Sequence, residues 1–245
     1  MLASKFLGFL ILLSVAIISC ERSPNKDRIR VSPKDPYSKT ALREKSQNDS
    51  LTSLLETFID STNIGIKGKN KLVLQKFKMG DSMYVDLKFY SLGKLGWVIN
   101  NEMTFENTTY ASLVTQIKDY NNDGLNDLSY WSLMAARGAN GLKNILLYNP
   151  TQNKLKQISN AEYYPNVEYN SERNCLTSLI FHGGVETVFL HLQGDSLIPF
   201  ACVEQSDSIY VYSIDEEGNY LDVETRENKG FSDFARFTNF DPLEE

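Results

Sequence analysis

Nine residues near the middle of the chain, Asp119-Tyr120-Asn121-Asn122-Asp123-Gly124-Leu125-Asn126-Asp127, place side-chain oxygens at positions 1, 3, 5 and 9 and a glycine at position 6. A tight loop with that spacing turns several oxygens toward one point, and an all-oxygen donor set suits a hard divalent cation such as calcium. The Leu125 carbonyl at position 7 adds a donor, so the expected ligands are Asp119, Asn121, Asp123, Leu125 and Asp127. Three carboxylates this close repel one another, and one structural Ca2+ is expected to order them. Position 12 is Tyr130, where an EF-hand needs a bidentate Glu, and the flanking segments alternate like strands, so a helix-loop-helix hand is excluded. The same composition also makes a metal-free hairpin turn, because Asn, Asp and Gly favour turns by themselves.

The other residues able to do chemistry are few. The chain has two histidines. His182 lies at a strand end before Gly183-Gly184, His191 alternates with Phe189 on a strand, and neither sits in a nucleophile or zinc motif. Asp215, Glu216 and Glu217 precede Gly218-Asn219 and read as a solvated hairpin tip rather than a catalytic carboxylate pair. No catalytic residue and no organic cofactor site is assigned. Cys175 and Cys202 form an even pair on two expected strands, able to form a disulfide in an oxidising compartment; two separately buried thiols are the alternative. Asp49-Ser50, Asp81-Ser82, Asp195-Ser196 and Asp207-Ser208, each followed by an aliphatic residue or Met, match a bacterial O-glycosylation pattern and equally open turns.

The elements that must position the loop come next. After Gly65, apolar runs are short, alternating, rich in Val, Ile, Tyr and Phe, and bounded by Gly, Asn, Asp or Lys. They predict strands near 71–78, 82–91, 95–105, 112–118, 127–134, 142–149, 154–158, 174–181, 185–192, 196–204, 208–214 and 219–225. No helix-length amphipathic segment separates them, which excludes an α/β crossover fold. The fold class is all-β, built of antiparallel β-hairpins as a small propeller-like or two-layer meander. Leu51, Leu54, Leu55, Phe58 and Ile59 stand at helical spacing and predict one short N-terminal helix capped by Ser50.

At the N-terminus, Lys5 precedes the apolar residues 6–18, too short to span a bilayer comfortably. Ile17-Ile18-Ser19-Cys20 then resembles the lipobox of bacterial lipoproteins, in which the Cys receives diacylglycerol and becomes the mature N-terminus. Residues 1–19 are thus expected to be a lipoprotein signal peptide. Residues 20–50 form a tether whose Pro, Ser, Asn and Lys content buries too little surface to fold. Residues 51–245 form a single calcium-binding β domain. The stretch 21–50 carries eight basic and five acidic residues, whereas 51–245 carries 16 basic and 26 acidic. An acidic domain of that kind excludes a nucleic-acid partner, which needs a basic face. The basic tether suits anionic lipid head groups.

Residues 119–128, then Gly138-Ala139-Asn140-Gly141, then Ile145-Leu146-Leu147-Tyr148-Asn149-Pro150, follow an order that resembles bacterial lipoproteins with an FG-GAP/VCBS-like calcium loop. Among these are immunity lipoproteins that inhibit lysozyme-like effectors delivered by type IV secretion. The resemblance is sharp over about 35 residues. It implies a β domain, one structural calcium and binding rather than catalysis. The expected protein is then a lipid-anchored binding lipoprotein of a Gram-negative envelope, on its periplasmic face or the cell surface. Its expected contacts are the membrane through the N-terminal lipid and a protein partner, with inhibition of a lysozyme-like glycosidase as the sharpest form. A lipoprotein hydrolase and a structural envelope component are the alternatives. Replacing Cys20 by Ser should abolish lipid labelling and move the protein to the soluble fraction; a variant that stays membrane-bound and is cleaved elsewhere contradicts the lipoprotein assignment.

Overall fold

The computed structural model describes residues 52–243, apart from 109, 111 and 230–233. The expected signal peptide and tether, Cys20 and the expected cap Ser50 lie outside the described residues. Fourteen strands follow in chain order: β1 (Thr52–Asp60), β2 (Asn70–Met79), β3 (Ser82–Gly93), β4 (Gly96–Glu106), β5 (Thr115–Lys118), β6 (Asp127–Ala135), β7 (Asn140–Asn149), β8 (Lys154–Gln157), β9 (Glu168–Asn170), β10 (Cys175–Phe181), β11 (Val185–Gln193), β12 (Ser196–Gln205), β13 (Ser208–Ile214) and β14 (Tyr220–Glu227). Within three sheets, β1–β4, β5–β8 and β9–β14, every strand pairs antiparallel with its neighbour in sequence. This is the hairpin-built all-β class that the alternating pattern implies. Local hairpins dominate because each polar turn returns the chain beside the strand it has just left. Asp81-Ser82, Asp195-Ser196 and Asp207-Ser208 serve as such turns, each serine being the first residue of a strand.

Burial sorts the sheets into a stack. In sheet one, Leu72 and Leu74 on β2 and Val85, Leu87 and Phe89 on β3 point inward at every second position, as a strand with one buried face requires. They pack against Leu128, Tyr130, Leu146, Tyr148 and Leu155 of sheet two. The adjacent residue Ile145 points the other way and packs with Leu176, Val188, Leu190 and Cys202 of sheet three. Ile145 and Leu146 are neighbours on β7 and both fully buried, so sheet two is covered on both faces. That explains why residues 127–130 are buried without alternation. The far face of sheet three, through Phe189, Ala201, Val203, Ile209 and Val211, is covered by the C-terminal residues Phe237 and Leu243.

Two expectations are corrected. The helix expected at Leu51–Ile59 is strand β1 over its described residues, paired along β2 from Thr52 opposite Met79 to Asp60 opposite Leu72. A bulge between Leu54 and Glu56 inserts an extra residue, which breaks the two-residue alternation and produces the helix-like spacing. Phe58 packs on the core, while Leu54, Leu55 and Ile59 stay exposed on this edge strand. The disulfide between Cys175 and Cys202 is absent, and both residues are buried thiols. Cys175 faces Phe189 and Ala201 on one side of sheet three, and Cys202 faces Val188 and Leu176 on the other. With β11 also lying between their strands, the two side chains point apart, which no disulfide tolerates. Burial pushes the Cys175 thiol up to about 11.

Candidate functional site

The oxygen-rich loop is the connection from β5 to β6 in the middle sheet. Asp119 closes it: Oδ1 accepts the amides of Asn121 at 3.1 Å and Asp123 at 3.3 Å, and Oδ2 accepts that of Gly124 at 2.8 Å. Asp123 Oδ1 accepts the Leu125 amide at 2.8 Å, and the Asn121 side-chain amide donates to Asp123 Oδ2 at 3.0 Å. The turn needs left-handed backbone at Asn122 (φ 57) and Gly124 (φ 82). Glycine adopts that region without strain and Asn tolerates it, which is the physical content of the glycine at position 6.

Asp127 does something different from its neighbours. It is the first residue of β6 and fully buried. Its Oδ2 accepts the backbone amide of Tyr120 at 2.8 Å, closing the loop, and its Oδ1 accepts that of Tyr148 on β7 at 2.7 Å. Burial pushes this carboxyl up to about 7; the two amides oppose the shift, and the nearby charges of Asp123 and Asp119 add to it. The sequence places Asp127 correctly in the motif but says nothing of Tyr148, its partner twenty-one residues on.

The loop is fastened to the other two sheets as well. Asn126 accepts the Gly65 amide through its carbonyl at 2.9 Å and donates its side-chain amide to the Asn63 carbonyl at 3.0 Å, both in the β1–β2 connection. Gly65 has φ 57, and a Cβ there would come within 2.8 Å of Asn70 Oδ1, so the position requires glycine. On the opposite side, Asn122 donates to Asn174 Oδ1 at 3.0 Å, in the β9–β10 turn. Beneath the loop, the Tyr120 hydroxyl meets Ser129 Oγ at 2.7 Å and Gln116 Oε1 at 3.2 Å. Burial holds its phenol well above the usual range.

A half-buried charge cluster lies beside this tyrosine. Lys143 on β7 donates to Glu168 Oε1 at 2.9 Å, Gln116 Oε1 at 3.1 Å and the Val167 carbonyl at 3.2 Å. Lys118 bonds the other Glu168 oxygen and lies over the Tyr120 ring. Arg236, from the C-terminal segment, donates to Thr177 and to the Asn166 carbonyl. Burial pulls the Lys143 ammonium below its ordinary range against the opposing pull of Glu168. The cluster was missed in the sequence, although one signal exists: Lys143 sits on the same face of its strand as Ile145, where an apolar residue belongs. It ties sheet two to sheet three, with Lys143 and Lys118 sharing Glu168 and Arg236 held by a hydroxyl and two carbonyls.

The remaining candidates are dispersed. His182 faces Glu186 at 3.5 Å in the β10–β11 hairpin, while His191 stacks on Phe200 with ring centroids 3.8 Å apart. Asp215 accepts the Asn219 amide at 2.7 Å and folds the β13–β14 hairpin tip that the sequence implies. A surface hollow of about 390 Å³ is lined by residues including Phe181, Gln205, Asp207 and Phe234 and touches neither histidine nor the loop.

The loop's chemistry fits a hard cation in part. Asp119, Asn121 and Asp123 present oxygens at its mouth, and turning over the Asn121 amide would add its Oδ1. Asp127 is committed to two backbone amides, and Leu125, the expected carbonyl donor, is half-buried with its own amide on Asp123. As the side chains stand, no three His, Cys, Asp or Glu among the described residues are gathered into a metal-binding group. No protein-family model and no curated protein matches the sequence. Among solved structures, that of a Xanthomonas type IV secretion system related protein is similar at a TM-score of 0.45 and 11% identity, over 73% of this chain and 96% of that one.

In the presence of chelator, Asp127→Ala should destabilise the domain by roughly 1–3 kcal/mol for each of the two buried amides it leaves unsatisfied. Asp123→Ala, at the exposed mouth, should cost less than about 1 kcal/mol. Urea unfolding of the two variants measures the difference, and equal losses would contradict the separation of anchor from mouth.

Proposed function

We propose that this chain is a membrane-tethered, calcium-stabilised binding lipoprotein of the cell envelope, its sharpest form an inhibitor or immunity protein against a lysozyme-like glycosidase. The observation that carries the proposal is the 119–127 loop, hydrogen-bonded to all three sheets through Asn126, Asp127 and Asn122. A cation held by Asp119, Asn121, Asp123 and the Leu125 carbonyl would neutralise the crowded carboxylates and stiffen the joint from which the sheets diverge. Asp127 would contribute chiefly as the anchor beneath. Calcium here supplies charge and order rather than reactivity.

Binding rather than turnover is supported by what the domain presents: hairpins on a rigid scaffold, and histidines and tip carboxylates engaged separately from one another. The domain's excess of ten acidic over basic residues beyond position 50 would steer typically basic lysozyme-like enzymes toward it, faster at low salt than at high salt. The lipobox and tether, read from the sequence, would hold that surface at the membrane.

Calcium that binds only the folded state raises stability by RT ln(1 + [L]/Kd), about 2.7 kcal/mol at 100 times Kd. Adding millimolar calcium to chelator-treated protein should raise the melting temperature, and Asp123→Ala should remove the rise. The calcium-loaded protein should inhibit a muramidase without consuming glycan itself. An unchanged melting curve would contradict the metal site. Glycan or peptide turnover lost on mutating a carboxylate pair would replace the binding reading with an enzyme.

A further inference from the structure

One end of sheet one combines exposed apolar side chains with lysines in an otherwise acidic domain. The β3–β4 hairpin turns through Gly93-Lys94-Leu95-Gly96, and Leu95 at its tip is fully exposed. Behind it, Leu92 opposite Trp97 and Val98 and Ile99 beyond them are also open to solvent, Val98 to 58%. The β1–β2 connection lies alongside, where Lys69 accepts the Leu92 amide at its carbonyl at 2.8 Å and Ile66 adds another exposed aliphatic side chain. Scattered exposed aliphatics are ordinary, but Leu92, Trp97 and Ile99 share one face of a hairpin that projects to Leu95, with Val98 open on the other face, and such a cluster marks an interaction surface.

The charges choose the partner. Lys67, Lys69 and Lys71 lie on the β1–β2 connection and the start of β2, Lys94 stands beside Leu95 in the turn, and no Asp or Glu occurs between Ser61 and Gly80 or between Leu87 and Asn101. Lys71 Nζ lies 4.3 Å from the Tyr90 ring centroid and 5.1 Å from that of Trp97, so a cation sits against the aromatic group at the patch's margin. The β7–β8 turn, joined to the same end by Asn70 to Asn153 at 3.0 Å and Asn100 to the Asn153 carbonyl at 2.8 Å, continues into Lys154. Asp86 on β3, Glu102 and Glu106 on β4 and Glu56 on β1 lie farther along their strands from the Gly93–Gly96 turn, Glu102 facing Lys88 at 3.4 Å and Asp86 accepting the Thr104 hydroxyl at 2.6 Å. Nearer this end are Asp60, which closes its own turn onto the amides of Asn63 and Ile64, and the carboxylates of the 119–127 loop. An end with a Trp, a protruding Leu and several lysines matches the apolar-to-charged gradient of a bilayer interface carrying negative head groups.

We propose that this end of sheet one, from the β3–β4 hairpin tip to the Lys67–Lys71 stretch, docks on an anionic bilayer surface, with Leu95 and Trp97 entering the headgroup layer. The proposal deepens the tethered reading and rests on it, adding an orientation that the lipid anchor alone does not impose. A lipid on Cys20 would fix one point of the chain to the bilayer without selecting which face of the domain meets it. Docking would make that selection and hold this end of sheet one at the membrane.

The test reconstitutes the full chain into vesicles of phosphatidylglycerol or of phosphatidylcholine, each with bromine-labelled acyl chains, and follows tryptophan emission alongside flotation. In anionic vesicles the emission should shift to the blue and be quenched. Trp97→Phe should lose that quenched component. Leu95→Asp, or Lys67→Gln with Lys69→Gln and Lys94→Gln, should also abolish it while the protein still floats. Each lysine near an anionic surface is worth about fivefold in partitioning, so phosphatidylcholine or high salt should weaken the effect by roughly 100-fold in apparent affinity. Flotation without Trp97 quenching overturns the docking and leaves the tether standing. Failure to float overturns both. Crosslinks joining two Trp97 faces without lipid quenching identify a second copy as the occupant, and equal quenching in both lipids excludes the charge-directed contact.

Discussion

A single buried carboxylate holds the middle of this fold together. Asp127 takes one backbone amide from Tyr120, at the far side of the loop it terminates, and one from Tyr148 on the next strand. A buried carboxyl accepting two such bonds has both its oxygens satisfied inside the protein, whereas either amide left alone in that position would be strongly destabilising. The loop's closure and the start of β6 are therefore fixed to β7 by one side chain, ahead of the ladder that begins at Leu128 and Leu146. Asn126 and Asn122, on either side of the loop, extend that fixed point to the β1–β2 and β9–β10 connections.

The stack of sheets follows from this joint and from the double burial of sheet two. Ile145 and Leu146 commit the two faces of β7 to different neighbours, so neither flanking sheet can peel away without exposing core. Charge placed inside such a layer is costly unless paired. Lys143 meets that condition through Glu168, Gln116 and a carbonyl, and Lys118 shares the same glutamate. Removing Glu168 would leave two cations facing each other at the junction of sheets two and three. The cluster thus specifies how these sheets meet as well as adding to their contact.

Much of this was legible in the sequence, for reasons that also explain what was not. Strands with one buried face announce themselves by alternation, as in β2 and β3, and the Asp215–Asn219 tip followed from turn chemistry. The Leu54-Leu55 pair read as helical because a bulge shifts alternation by one residue, and a bulge has no signature of its own. Counting cysteines gave an even pair but could not say that Cys175 and Cys202 point to opposite faces of one sheet. The nine-residue motif located the loop and its glycine. Whether its last carboxylate faces the mouth or the core depends on a strand that the motif does not contain.

The most direct test of the Asp127 joint is amide hydrogen exchange at Tyr120 and Tyr148 in chelator. If the carboxylate is the joint, both amides should exchange only through global unfolding, with opening free energies equal to that from urea denaturation. The amides of Asn121 and Asp123, one to three residues away at the loop's exposed mouth, should exchange far faster. Exchange of Tyr120 and Tyr148 at the rate of the exposed loop would show that the two bonds open freely, and the joint would have to be sought elsewhere.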